Sequence, residues 1–172
     1  MNPIEKVAAK MAGKTANVEA RFKGLKGVFA KLAEQHHEAG ALLASAEKAL
    51  DPTKRSDLWR QIRKELLSHE QAELLEIYPV LEGYAATRDI ARTHAEQAGE
   101  LDELIRLVDS IAVQSVAWRP AVQGLIVRIE AHVAEEEQQF FPQAQHALGD
   151  ERVKKLEQPF LTAQARMKAR LG

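Results

Sequence analysis

The sequence predicts an all-α fold: an antiparallel, up-down-up-down four-helix bundle with additional helical segments at both ends. Three observations lead there. Ala, Leu, Glu, Gln and Lys, all good helix formers, dominate, while aromatic residues make up only 5% of the 172-residue chain. Apolar residues recur at spacings of three and four, as in Leu101, Leu104, Ile105 and Val108. The breaks between such stretches are short, which favours antiparallel neighbours.

Taken in order, an amphipathic N-terminal stretch carries Ile4, Val7, Ala8 and Met11. A first long helix is expected over about 26–50, between Gly24/Gly27 and the breaker "DPTKRS". A second covers about 56–82, with Ser56 as its cap and Gly83 near its end. The third runs from Thr87, another capping residue, to about 115, and the fourth from "WRP" to about 145. Residues 150–171 read as a shorter terminal helix interrupted at Pro159. One domain over 1–172 is expected, its core bundle at about 28–145 and its terminal extensions at 1–25 and 150–171.

Composition narrows the chemistry. Cysteine is absent, which excludes disulfides, thiolate metal sites and cysteine nucleophiles. No apolar run approaches membrane-spanning length and no signal-peptide core separates the N-terminal lysines, so a cytoplasmic protein without a membrane partner is expected. Lys+Arg and Asp+Glu nearly balance at 24 and 25, and no nucleic-acid partner is expected. The charges are uneven: residues 1–31 hold seven basic and two acidic side chains, and 32–149 hold eleven and twenty. Basic end helices against an acidic bundle account for this.

The informative pattern is H-x3-E-x4-[YF]-P, which occurs twice. "SHEQAELLEIYP" contains His69, Glu73 and Tyr78-Pro79; "AHVAEEEQQFFP" contains His132, Glu136 and Phe141-Pro142, 63 residues on. Positions i and i+4 share a helix face, so each copy presents an imidazole beside a carboxylate. The repeated aromatic-proline tail points to a duplicated two-helix unit with a kink or helix end in each copy. The preceding helices offer partners: His36 or His37 before His69, and His94 before His132. Four imidazoles and two carboxylates suffice for two metals, each held by about two nitrogens with the carboxylates bridging. Without metal, burying such a set is costly. Between the adjacent histidines, helix phase favours His36, because Phe29, Leu32 and Leu43 lie on its stripe and only alanines lie on that of His37.

This constellation resembles the haemerythrin-like (HHE cation-binding) domains, whose motif runs H…HxxxE…H…HxxxE. The match comprises His36, "HEQAE" at 69–73, His94 and "HVAEE" at 132–136, and covers roughly residues 28–145. The resemblance implies four antiparallel helices around two non-haem iron ions, oxo- or hydroxo- and carboxylate-bridged. It implies His36, His69, Glu73, His94, His132 and Glu136 as ligands, and a small partner such as O2, H2O2 or nitric oxide. Glu70 either reaches the cluster as an extra carboxylate or lies on the solvated surface. Glu135 and Glu137 read as surface charge, His146 as exposed, Trp59 and Trp118 as packing at the bundle ends. Tyr78 reads as core or as a donor near the cluster, with core favoured.

A ferritin-like arrangement does not fit, since Glu-x-x-His occurs only at Glu34/His37. Imidazole with carboxylate suits iron, zinc or manganese, and the family resemblance selects iron. Six protein ligands leave exchangeable positions on two metals. Oxygen-carrying haemerythrins have a second histidine four residues after the one on the third helix, whereas this chain has Ala98. That departure points away from reversible oxygen storage and towards a more open metal. Binding, sensing or detoxifying O2, peroxide or nitric oxide is therefore expected. A catalase-like enzyme decomposing peroxide, and a helical interaction module with a structural metal, are the alternatives.

Overall fold

The computed structural model describes residues 24–172, and every regular element among them is helical. In chain order these are α1 (Gly27–Lys48), α2 (Pro52–Glu76), α3 (Tyr78–Glu82), α4 (Arg88–Asp109) and α5 (Trp118–Glu135). A π-helical turn (Glu136–Phe140), α6 (Phe141–Leu148) and α7 (Asp150–Arg170) follow. The N-terminal stretch with Ile4, Val7, Ala8 and Met11 lies outside the described residues. No helix of the described residues is long and apolar enough to cross a membrane.

Several boundaries differ from expectation, each for a local reason. Helix α2 begins at Pro52, not near Ser56, because the Asp51 carboxylate accepts from Thr53 N (3.2 Å) and Lys54 N (3.1 Å). Pro52 sits in the first turn, where a missing N–H leaves no bond unmade. Helix α4 stops at Asp109, about six residues early, and the chain turns through Ile111 N–Val108 O and Ser115 N–Ala112 O bonds. Thr87 precedes α4 without capping it; its hydroxyl donates to Leu81 O (2.7 Å) and ties α4 back to α3.

The two aromatic-proline sites restart helices. Proline has no N–H to offer the preceding turn, so the ladder breaks and Pro79 and Pro142 each enter the first turn of a new segment. The copies break differently. Ile77 N still reaches Glu73 O (2.9 Å), whereas Phe141 N bonds Glu136 five residues back and forms the π-helical turn. Pro159, by contrast, does not interrupt α7, which runs unbroken to Arg170. Lys155, whose carbonyl loses its helical partner, and Pro159 are both exposed, so water can take the missing bond.

Two apolar clusters form the core. One gathers Phe29, Leu32, Tyr78, Phe140, Phe141 and Phe160. The other gathers Leu43, Ile62, Leu101, Val122 and the tryptophans Trp59 and Trp118, which meet edge to face at 5.9 Å. Arg55 closes that end, stacking over Trp118 at 5.5 Å and donating to Ala49 O and Val113 O. Each of α1, α2, α4 and α5 carries residues of the second cluster on one side of its histidine, and each histidine is followed or preceded by residues of the first. A polar layer thus lies where four helices pass from one apolar cluster to the other.

Helix α7 packs chiefly on α2 and α1. Its approach is close: at Gly27 (φ +50°) a Cβ would stand 2.6 Å from Val153 O, so only glycine fits. Lys26 adds a 2.5 Å ion pair with Asp150, and its N–H donates to Gln145 Oε1 (2.8 Å).

Candidate metal centre

Helical phase brings the predicted side chains inward. His69, Glu70 and Glu73 occupy consecutive inward positions of α2; His94 projects from α4, His132 from the end of α5, and Glu136 from the first residue of the π-helical turn. All six are buried, and Glu73 and Glu136 are fully so. The His36 side chain on α1 retains only 7% of its surface.

Glu136 stands between two groups of donors. Its Oε2 lies 3.3 Å from His36 Nε2, which lies 3.1 Å from His69 Nε2, which in turn lies 3.3 Å from Glu73 Oε2. Its Oε1 lies 3.3 Å from His132 Nε2 and 3.8 Å from His94 Nδ1; Glu70 Oε2 approaches His132 Nε2 at 3.9 Å. His94, His132 and Glu136 can thus converge on one cation, and so can His69, Glu70 and Glu73. His37 is only half-buried and takes no part in these contacts, whereas His36 does.

Aromatic rings hold the imidazoles. Phe141 stacks on His36 (5.9 Å, 17°), Phe140 on His94 (4.7 Å, 8°), and Phe160 meets His69 edge-on at 6.0 Å. Both tail aromatics touch the polar layer, Phe141 by stacking on His36 and Tyr78 through its hydroxyl beside Glu73 and Glu136, while the following proline opens a new helical segment. The outer nitrogens are also engaged. His69 Nδ1 lies 2.9 Å from Gln35 Oε1 and His132 Nδ1 lies 2.8 Å from Gln97 Oε1. An amide oxygen only accepts, so both rings carry a proton on Nδ1 and turn Nε2 inward. His36 Nδ1 pairs with Glu137 Oε1 at 3.1 Å.

Burial sets the charge pattern. Desolvation alone would discharge His36, but hydrogen bonds with Glu136 and Glu137 raise it to about 10; His132, likewise opposed by burial, reaches about 9 through Glu136. Burial, with the neighbouring charge of His36, pushes His69 down to about 4. Burial lifts Glu70 to about 7 and lifts Glu73 well above the carboxylate range, the latter aided by Glu136. Glu136, despite its burial, is held well below that range by His132 and His36. Protons shared among these groups thus occupy a space lined by cation ligands.

Some residues depart from the reading by sequence. Glu70 is buried in the cluster, not solvated. Glu137 is not surface charge: its side chain is 5% exposed and pairs with His36. Tyr78 is both core and donor, its hydroxyl 3.0 Å from Glu136 Oε1 and 3.3 Å from Glu73 Oε2. Glu135 and His146 are exposed as expected. Sequence reasoning missed Gln35 and Gln97. The signal was a tripeptide: Ala-Glu-Gln occurs at 33–35 on α1 and at 95–97 on α4, so the glutamines are duplicated like the ligands.

Whether these groups fit a cation can be tested on unmade bonds. Seven buried side-chain atoms lack a hydrogen-bond partner among the described residues, and five sit here: Glu70 Oε2, Glu73 Oε1, His94 Nδ1, His132 Nε2 and Glu136 Oε2. Buried polar atoms are normally satisfied, so five unsatisfied atoms of metal-ligating type in one buried layer fit a bound cation. The fold and the site together define a helical metal-binding protein of the imidazole–carboxylate type.

Comparison with known proteins agrees. The family model of the hemerythrin HHE cation-binding domain matches residues 18–144, and the chain belongs to that family. It is also 25% identical over 137 residues to a DNA nickase of Nostoc sp. (strain PCC 7120), covering 80% of this chain and 39% of that protein. The chain spans about two fifths of the length of that relative. No solved structure matches it.

Proposed function

We propose that the chain is a dinuclear non-haem iron protein, of cytoplasmic location, that binds O2, peroxide or nitric oxide as a sensor or scavenger. The four long helices bearing the histidines, α1, α2, α4 and α5, are read as the antiparallel bundle of the family. The single observation that carries the reading is Glu136, whose two oxygens face separate groups of imidazoles. His36, His69 and Glu73 would hold one ion, His94 and His132 the other, with Glu136 between them and Glu70 beside His132. Iron, when bound, supplies redox chemistry and open positions for a small oxidant.

The chain's own residues orient and shield. Gln35, Gln97 and Glu137 engage Nδ1 of His69, His132 and His36 and keep Nε2 of each ring turned inward. The Tyr78 hydroxyl can hold or donate a proton beside Glu73 and Glu136; burial raises its pKa well above 10, so it stays protonated. Phe140, Phe141 and Phe160 exclude water from one side. On another, a cavity of about 450 Å³ reaches His36, His69 and Glu70 between α1, α2, α5 and α7 and gives a small molecule entry.

The test is uptake of iron by purified apoprotein, followed by exposure to peroxide and nitric oxide. About two irons per chain and spectral changes with either oxidant or nitric oxide support the reading; no uptake overturns it. DNA nicking, the activity that names the relative, is not assigned to this chain. Supercoiled plasmid incubated with the metal-loaded protein is expected to remain intact, and accumulation of open circles would contradict that.

A further inference from the structure

Helix α7 begins after the residues that match the family ends, at Asp150 against a match closing at 144, yet it reaches the centre. Three of its side chains do so. Phe160 meets His69 edge-on, and Lys168 pairs with Glu65 (2.5 Å) on the wall of the cavity that opens onto His69. The third, Gln164, is 4% exposed and bonds Gln35 twice: Gln35 Nε2 donates to Gln164 Oε1 (2.9 Å), and Gln164 Nε2 donates to Gln35 Oε1 (2.8 Å).

The two bonds have a positional consequence. Moving the Gln35 amide breaks both, whereas turning the two amides together would keep both, so the amide of Gln35 is seated by Gln164 and takes its direction from its third contact, with His69. Its oxygen then faces His69 Nδ1, which must carry the ring proton, and Nε2 is left with the lone pair that faces His36 and Glu73. The second group is backed without a residue of α7. There Gln97 backs His132 and is itself held by Glu135, an exposed carboxylate on α5.

We infer that Gln164 of the C-terminal helix is a positioning residue for His69, acting through Gln35, so that α7 biases one of the two ligand groups and leaves the other alone. The tautomer half of this inference stands without any metal; the affinity half rests on the function proposed above.

The experiment uses the full chain, labelled with nitrogen-15 and free of metal, and reads the histidine ring nitrogens by long-range proton–nitrogen correlation. His69 in the unmodified protein is expected to be protonated on Nδ1, with cross-relaxation between that proton and the side-chain amide of Gln164. Gln164→Met should shift its two ring nitrogens towards a mixed tautomer, while His132 stays unchanged. In a Gln35→Met background, Gln164→Met should add no further shift, because the relay is already cut. An unchanged His69 in Gln164→Met overturns the inference. So does absence of the cross-relaxation in the unmodified chain, which requires no variant to fold. The second arm titrates cobalt(II) into the same proteins: Gln164→Met should weaken one of two ions by about tenfold and spare the other. Equal weakening of both contradicts selective positioning. If the unmodified chain takes up no cobalt, the proposed function fails while the tautomer result still decides the role of Gln164.

Discussion

At the scale of single residues, the layout of the centre makes its carboxylates unequal. Glu136 addresses both ligand groups, whereas Glu73 lies against His69 and Tyr78 on one side. Glu136→Ala is therefore expected to remove both ions, and Glu73→Ala to weaken mainly one, as read by metal analysis after dialysis. A similar inequality separates the adjacent histidines. His36→Ala should lower metal affinity by more than the roughly 10- to 100-fold typical of an outer partner, and His37→Ala should leave it near the unmodified value. The phase of α1 made this choice legible in the sequence, through Phe29, Leu32 and Leu43. The glutamines were not legible in the same way, because an amide bonded to a ring nitrogen looks like any polar residue until its neighbour is known. Glu137 was misread because its partner is His36 on another helix, 101 residues away in sequence, which no local pattern reveals. Ala98, fully buried on the turn after His94, stands where the resemblance to oxygen-carrying haemerythrins would place a further histidine. Ala98→His is expected to slow peroxide consumption at matched iron loading in a stopped-flow assay; an equal rate would show that no open position lies there.

At the scale of elements, the duplicated H-x3-E unit places the ligands, and its aromatic-proline tail sets where each helix restarts. Element type and order were readable because helix formers and three-four periodicity extend over whole segments. Starts and stops were not, since Asp51 with Pro52 outcompeted Ser56 as a cap and Pro159 fell on an exposed face where a lost backbone bond is open to solvent. Docking of α7 depends on Gly27, whose positive φ and contact with Val153 leave no room for a side chain. Gly27→Ala is expected to cost on the order of 1–3 kcal/mol by thermal or urea unfolding. It should also raise the protease sensitivity of α7 before that of α2. Uniform loss of protection along the chain would show that α7 is not separately held by this contact.

For the whole molecule, the proposed centre would couple metal to folding and to pH. Ligation requires the inward nitrogens and carboxylates to be free of protons, but His36 near 10 and His132 near 9 hold theirs at neutral pH in the absence of metal, and burial beside Glu136 shifts Glu73 upward. Uptake must therefore release protons, and affinity should fall as pH falls. Calorimetry in buffers of different ionisation enthalpy should show net proton release at pH 7. If the folded state alone binds, saturation at about a thousand times the dissociation constant adds roughly 4 kcal/mol, or on the order of 10 °C in Tm for a chain of this size. The most direct measurement is iron content and absorption of the purified, reconstituted full chain. About two irons per chain, with near-ultraviolet charge-transfer bands that disappear in Glu136→Ala, is the expected result. A chain that remains metal-free in excess iron, and melts identically with and without it, would contradict a buried dinuclear centre.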